Sequence, residues 1–208
     1  GTQKLRELFA VHPKDRSEAW RDALLEALPE ARLLPGDPEI QYAVDGFPYY
    51  QLMLPESDAQ LGAGARSIKG GSASLVEQGL GVIVHSTNGG DWPISCGDLV
   101  GLQLFDSLLT QPNDFSSVGS GEETIEEEEK VLVGQPAPVI LPPHPRRHLK
   151  ELFSSYGVTD AKLLMMMRSP KERTVERDLV FNTTPDKFKN EKDFARAMQQ
   201  ISWYLPRW

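Results

Sequence analysis

Residues 40–54, IQYAVDGFPYYQLML, decide the fold of this chain. Two runs rich in aromatic and β-branched residues flank Asp45-Gly46, a pair that tolerates positive φ at both positions. The pattern predicts a β-hairpin closed by a type I′ turn. Pro48 has no N–H to donate to a sheet, so the second strand is predicted to lie at a sheet edge or to begin after it.

Helices are predicted on both sides of this hairpin. Leu5, Leu8 and Phe9 have the spacing of a helix face, and a second apolar stripe runs from Trp20 to Leu28. Asp15 and Glu18 have the spacing of a capping box at the start of that second helix. A short helix is predicted around residues 73–77.

A second hairpin is predicted from residues 80–85 and 92–96. Asp98 then has a residue type that caps helices, and the helix expected over residues 99–109 is apolar on most sides. A helix that is apolar all round is buried, so this segment is predicted to lie in the core.

An acidic segment divides the chain. Residues 112–129 contain Ser, Gly and six Glu, which is typical of a connector. Beyond it, the pattern predicts a strand at 130–133, an extended segment at 139–141, a helix from 143 ending at Gly157, strands at 161–167 and 178–183, and a helix starting near Asn190. The prediction is an α+β fold of two small mixed units, residues 1–115 and 130–208, with an acidic Gly/Ser/Glu-rich linker at 116–129. The second unit reads β-α-β-β-α.

Composition limits the class of protein. Hydrophobic residues make up 39% of the chain and charged residues 25%, as in ordinary globular proteins. No apolar stretch approaches the roughly 18–20 residues that span a bilayer. The single cysteine cannot form an intramolecular disulfide, which favours a reducing compartment, and we expect a cytoplasmic location.

The net charge of −8 is unevenly distributed. Residues 1–120 hold 8 Lys and Arg against 16 Asp and Glu, whereas residues 130–208 hold 14 against 8. Two solvated surfaces explain this asymmetry, and so does mutual attraction of the two halves. The basic half has no basic helix with interleaved aromatic residues, so nucleic acid is not predicted as a partner. A membrane is not predicted as a partner either, because the apolar stretches are short.

Cys96 and His85 are the candidate catalytic pair. The second predicted hairpin can place them on adjacent strands, where an imidazole can generate a thiolate nucleophile. A cysteine within such a strand is more commonly a small buried hydrophobic residue. No catalytic motif supports this pair. Catalysis by Cys96 and His85 therefore stays a hypothesis, and no residue of the chain is predicted to be catalytic.

Metal and cofactor sites are not predicted. His144 and His148 stand four residues apart, as metal ligands on one helical turn do, but Arg146 and Arg147 repel a cation and no third ligand is nearby. The glycine-rich segments lack the strand before and the helix after that phosphate loops require.

Aromatic residues near the end of the chain are the candidate binding residues. Trp and Tyr are frequent interface anchors, so Trp208, Tyr204 and Trp92 are predicted to contact a partner. Trp203 falls beside the apolar face of the last helix and is predicted to pack within the second unit.

Residues 129–185 carry a family resemblance. The matching features are Val131-Leu132-Val133-Gly134-Gln135-Pro136-Ala137, a helix with Leu149, Leu152 and Phe153, then Gly157-Val158, Ala161-Lys162-Leu163-Leu164 and Leu179-Val180-Phe181. This pattern resembles the C-terminal domain of the SseB family, the bacterial enhanced-serine-sensitivity proteins. The resemblance implies a strand with a Gly-x-Pro turn, a helix and two further strands, and it brings no catalytic residues.

These observations favour a non-enzymatic bacterial accessory protein that binds a protein partner or associates with itself. Two alternatives remain open: a domain that binds a small molecule such as an amino acid, and a Cys/His hydrolase or transferase.

Overall fold

The computed structural model describes residues 1–87, 90–110, 130–169 and 176–207. The fold is α+β, as predicted, and it divides into two compact units. Of the described residues, unit 1 contains 1–87, 90–110 and 200–207, and unit 2 contains 130–169 and 176–199. The predicted linker at 116–129 lies outside the described residues. No helix in the described ranges is long and apolar enough to cross a membrane.

A four-stranded sheet with the order β1-β2-β3-β4 forms the centre of unit 1. Its elements are α1 (Thr2–Ala10), α2 (Glu18–Ala27), β1 (Leu34–Tyr42), β2 (Pro48–Met53), α3 (Ile68–Gln78), β3 (Gly81–Ser86), β4 (Gly90–Ile94) and α4 (Cys96–Phe105). Both predicted hairpins are present as antiparallel pairs, β1–β2 and β3–β4. The two hairpins join through a parallel β2–β3 pair, because α3 carries the chain back across the sheet. β2 is therefore an inner strand that begins at Pro48, not an edge strand.

The β1–β2 turn differs from the predicted type I′ geometry. Gly46 has φ +83°, whereas Asp45 is not among the described residues with positive φ. Asp45 instead accepts a hydrogen bond from the Phe47 amide over 2.9 Å. A type I′ turn needs positive φ at both central residues, so that prediction is wrong in detail while the hairpin itself is confirmed.

Serine residues, not the predicted aspartates, cap the helices. The Ser17 side chain accepts a hydrogen bond from the Trp20 amide and begins α2, so the predicted box of Asp15 and Glu18 is wrong. At α4 the cap is Ser95, and its partner in a reciprocal capping box is Asp98. Asp98 is therefore the third residue of the helix and not its cap, which moves the helix start three residues earlier than predicted.

The core of unit 1 lies between the sheet and its helices. Leu5, Leu24, Val82, Val84 and Leu99 are completely buried. Each such side chain stabilises the fold by roughly 1.5–3 kcal/mol relative to an exposed one. The predicted burial of α4 is confirmed, because every residue from 96 to 102 is buried.

The chain returns to unit 1 at its end. The carbonyl oxygen of Trp203 accepts a hydrogen bond from the Gly97 amide over 2.9 Å. Trp203 is 7% exposed and belongs to the core of unit 1. The predicted second unit extended to residue 208, and Trp203 was expected to pack there; residues 200–207 in fact belong to unit 1. An exposed Trp203 would leave a large apolar ring in water, and the aromatic residues of β2 and its turn provide the packing surface.

Unit 2 has the predicted order β-α-β-β-α. Its elements are β5 (Lys130–Gly134), α5 (Pro143–Ser155), β6 (Leu163–Ser169), β7 (Glu176–Phe181) and α6 (Glu191–Ile201), of which the last two residues belong to unit 1. The strands form an antiparallel sheet β5-β6-β7. Gly157 ends α5 in the left-handed conformation with φ +84°, as predicted. Residues 138–140 form a turn instead of the extended segment predicted there. Phe153 of α5 packs against Phe181 of β7 with ring centroids 4.9 Å apart.

Candidate functional site

Cys96 and His85 do not form a catalytic pair. Cys96 is completely buried at the start of α4, and burial raises the pKa of its thiol to about 12. A thiol in this state supplies almost no thiolate at neutral pH. In the β3–β4 register His85 stands opposite Asp91. The last pair of this ladder, Val82 and Ile94, lies three residues further along each strand, a distance of about 10 Å, and Cys96 comes only after it.

His85 instead belongs to a hydrogen-bonded relay across all four strands of the sheet. Its Nδ1 lies 2.7 Å from Asp91 Oδ1, and its Nε2 lies 3.0 Å from Gln51 Oε1. Gln51 in turn donates from Nε2 to the carbonyl oxygen of Pro38 in β1. The relay takes one residue from each strand and fixes the position of Pro38 next to Glu39.

His144 and His148 do not assemble a metal site in the described part of the chain. No group of three His, Cys, Asp or Glu side chains there could hold a metal ion. His148 is buried in α5, and its Nδ1 faces Glu151 Oε2 at 3.4 Å.

The predicted aromatic binding residues have structural neighbours. Tyr204 is half-buried and packs edge-on against Trp203, with ring centroids 4.9 Å apart. Trp92 is half-buried and packs edge-on against Trp20 at 5.6 Å. Trp208 lies outside the described residues. Packing within unit 1 explains Tyr204 and Trp92, and their role in binding stays a prediction.

Trp203 connects the end of the chain to the β1–β2 hairpin. Its ring stacks on Phe47 with centroids 4.3 Å apart and planes 2° from parallel. Its indole N–H donates to Tyr49 Oη over 3.0 Å, and Tyr49 Oη donates to Asp45 Oδ2 over 2.7 Å. Burial and the Asp45 carboxylate raise the pKa of Tyr49 to about 12, which keeps the phenol protonated as the donor. The turn end of the hairpin is therefore held by contacts with the buried Trp203 and Tyr49.

Apolar side chains next to this turn extend into solvent. Ile40 is 44% exposed, Tyr42 is 75% exposed, and Val44 is fully exposed. We name these three residues the hairpin stripe. They stand on β1 and the turn that follows it, and β1 is an edge strand of the sheet.

A cavity of about 200 Å³ lies between β1, β2 and α3, and Ile40 of the stripe contributes to its lining. We name it the β1–α3 pocket. Its lining combines an apolar floor with the polar groups of Glu39, Tyr50, Arg66 and Ser67. The Tyr50 side chain is 8% exposed, and its hydroxyl forms no hydrogen bond of normal geometry with any described residue.

Unit 2 has a cavity of its own, about 350 Å³ in volume, beside α5. Its lining includes Leu149 and Phe153 together with the cationic side chains of Arg146, Lys150 and Lys162. Arg146 already donates from Nε to the carbonyl oxygen of Leu141 over 2.7 Å. This cavity is amphipathic and positively charged.

The β1–α3 pocket was not predicted from the sequence. Glu39, Tyr50 and Arg66 come from three separate segments, and none belongs to a motif. Alternation along β2 is the one available signal, because it places Tyr50 on the same face as the buried Leu52.

Comparison of the chain with protein-family models, with curated proteins and with solved structures gives no match. The function of these sites is therefore inferred from their residues and geometry alone.

Proposed function

We propose that this chain is a non-catalytic bacterial accessory protein that binds a protein partner through the hairpin stripe. The observation that carries the proposal is the exposure of Ile40 and Tyr42 on the edge strand β1 and of Val44 in the turn that follows it. Scattered single apolar residues are normal on a surface, but a contiguous patch on a rigid support is typical of a binding site.

The edge position supports binding of an extended segment. An edge strand presents unpaired backbone N–H and C=O groups, and partner peptides often add to such an edge as a further strand. Pro35 and Pro38 have no N–H, and the β1–β2 register is irregular between Pro35 and Ile40. The part of β1 that suits pairing is therefore short, from Ile40 to Tyr42, and side chains must supply much of the affinity.

Charge defines the kind of partner. Residues 1–110 contain 8 Lys and Arg against 15 Asp and Glu, and the exposed Asp37, Glu39 and Asp45 lie along the hairpin. Two copies of this acidic edge would repel each other. The proposed partner is thus an extended segment of another protein in which Lys or Arg alternates with apolar residues.

The relationship to the SseB family is part of this proposal. The order β-α-β-β-α in unit 2 supports it, since the resemblance implies the same succession of a strand, a helix and two strands. A shared fold does not carry a function with it, so the binding role rests on the hairpin stripe.

Site-specific photo-crosslinking in the producing organism tests the proposal. A photoreactive amino acid at position 42 is expected to give one discrete protein adduct, and the same amino acid at Glu26, exposed on α2, should give none. The adduct protein is then purified and titrated against the chain. Val44→Lys should weaken binding at least about ten-fold, because it places a cation opposite a basic segment. Val44 is fully exposed, so this variant should fold normally. Equal crosslinking at both positions, or unchanged binding by Val44→Lys, would refute the proposal.

A further inference from the structure

The β1–α3 pocket combines an apolar floor with charged and polar groups. Its floor is apolar and consists of Leu52, Ile68, Leu75 and Leu80. Its volume, about 200 Å³, is below the roughly 300–1,000 Å³ typical of pockets for drug-sized ligands. A pocket of this size suits a small metabolite with one apolar group.

The Tyr50 hydroxyl is the first sign of a ligand. Buried hydroxyl groups are nearly always hydrogen-bonded, because an unpaired one loses its contacts with water and gains nothing in return. Tyr50 lines the pocket and is 8% exposed. No described group forms a hydrogen bond of normal geometry with its hydroxyl, although the Glu39 carboxylate lies near enough to act as a weak acceptor. Burial raises the pKa of this phenol, so at neutral pH the hydroxyl can donate one hydrogen bond and accept another.

Glu39 and Arg66 are the second sign. Both line the pocket from exposed positions at its mouth. Burial is the main cause that raises the pKa of Tyr50; the Arg66 charge lowers it, and Glu39 raises it as a charge and as a hydrogen-bond acceptor. Within the described part of the chain neither side chain forms an ion pair, not even with the other, although their charges are opposite. Their backbones are fixed: Arg66 and Leu33 exchange two hydrogen bonds of 2.8 Å, and the Gln51 side chain holds Pro38 beside Glu39.

We propose that the β1–α3 pocket binds a small zwitterion, an α-amino acid with an apolar side chain. Glu39 and the accepting oxygen of Tyr50 would receive the ammonium group, and Arg66 would receive the carboxylate. The positive end of the α3 dipole lies on the same side as Arg66 and favours the carboxylate there. The apolar floor takes the side chain. A ligand with a single charge would leave either Glu39 or Arg66 without a counter-charge.

This proposal concerns the cavity and not the exposed edge, although Ile40 and Glu39 belong to both. L-leucine and L-phenylalanine are the probes, measured by isothermal titration calorimetry and by thermal shift at millimolar concentration. We expect at least one of them to bind and to raise the melting temperature, because a ligand that binds only the folded state stabilises it. The singly charged analogues 3-methylbutylamine and 4-methylpentanoate should bind at least about ten-fold more weakly.

Three variants assign the site. Glu39→Gln and Arg66→Gln should each weaken binding at least about ten-fold, whereas Glu26→Gln, which changes an exposed carboxylate on α2, should leave binding unchanged. Tyr50→Phe should also weaken binding. This variant removes only a hydroxyl that makes no hydrogen bond of normal geometry, so it should fold at least as stably as the wild type, and lost binding cannot be attributed to unfolding.

Any of three outcomes would overturn the proposal. Neither amino acid binds, the singly charged analogues bind as tightly as the zwitterion, or Glu39→Gln and Arg66→Gln bind like the wild type.

Discussion

Gly97→Ala is the substitution that most directly tests how the end of the chain is held in unit 1. A Cβ added at Gly97 would lie 2.0 Å from the carbonyl oxygen of Leu205 and 2.5 Å from its carbonyl carbon. No real Cβ atom approaches a backbone so closely, and a backbone cannot rotate away as a flexible side chain can. The tail from Trp203 to Arg207 must therefore move.

The cost of that movement follows from what the tail buries. A tryptophan ring such as that of Trp203 buries roughly 200 Å², which at about 25 cal/mol per Å² is worth about 5 kcal/mol as an upper bound. The stacking on Phe47 is lost together with it. Helix propensity acts in the opposite direction, but alanine gains only about 1 kcal/mol over glycine. The packing lost with the tail outweighs the helix propensity gained. We therefore expect Gly97→Ala to lower the free energy of unfolding by about 3–5 kcal/mol.

Gly101→Ala is the matched control. Gly101 lies in the same helix and faces the same tail, but a Cβ there would meet only the side chain of Pro206, at 3.7 Å. That is an ordinary van der Waals contact, so this variant should be neutral or slightly more stable through helix propensity.

Urea unfolding measures both free energies, and hydrogen exchange locates the change. In Gly97→Ala the amide of residue 97, which donates to the Trp203 carbonyl, should lose its protection. The reasoning is refuted if Gly97→Ala is as stable as Gly101→Ala and the amide at 97 stays protected. That result would mean the tail does not pack against α4 in this way.

Three further predictions concern the same unit. Cys96 should resist alkylation at neutral pH until the protein is unfolded, because its thiol is buried; rapid reaction in the folded state would restore the catalytic hypothesis. Arg207→Ala removes an ion pair with Asp98, whose two N–O distances are 2.7 and 2.9 Å, and should lower the free energy of unfolding by about 1–3 kcal/mol. Arg21→Ala is the comparison: its ion pairs have N–O distances of 3.6 and 3.8 Å, so this variant should change the free energy of unfolding by less than about 0.5 kcal/mol. Alkali should destabilise unit 1, because folding raises the pKa of Cys96 from 9.0 to about 12 and that of Tyr49 from 10.0 to about 12. The stabilisation from these two groups is complete below pH 9.0. Between there and pH 12 the free energy of unfolding falls by up to about 1.4 kcal/mol per pH unit for each group. Urea unfolding at a series of pH values should therefore show a shallower fall for Cys96→Ala than for the wild type.

The local elements of this protein were readable from its sequence. Apolar residues at helical spacing predict α1 and α2, and Asp45-Gly46 between apolar runs predicts the β1–β2 hairpin. Gly157 marks the end of α5, since a left-handed residue is needed there. These features depend on neighbours within a few residues, and that is why pattern and propensity suffice to find them.

The sites depend on contacts that sequence spacing does not encode. Cys96 and His85 are eleven residues apart and share a predicted hairpin, yet strand register separates them and burial suppresses the thiolate. Conversely, Glu39 and Arg66 share a pocket because α3 carries the chain from β2 to a parallel β3, and no local pattern announces that pairing.

The sequence by itself therefore determined the class of fold, the order of its elements and the helix faces that are buried, because short-range sterics and hydrophobic periodicity govern these. Only the tertiary structure decided which unit the last residues join. Trp203 is apolar enough to be buried in either unit, and its place is fixed by the Phe47 ring, the Tyr49 hydroxyl and the space that a glycine leaves at position 97. Phe47 and Tyr49 share one hairpin, but that hairpin, Gly97 and Trp203 are far apart along the chain, and only folding brings them to one point.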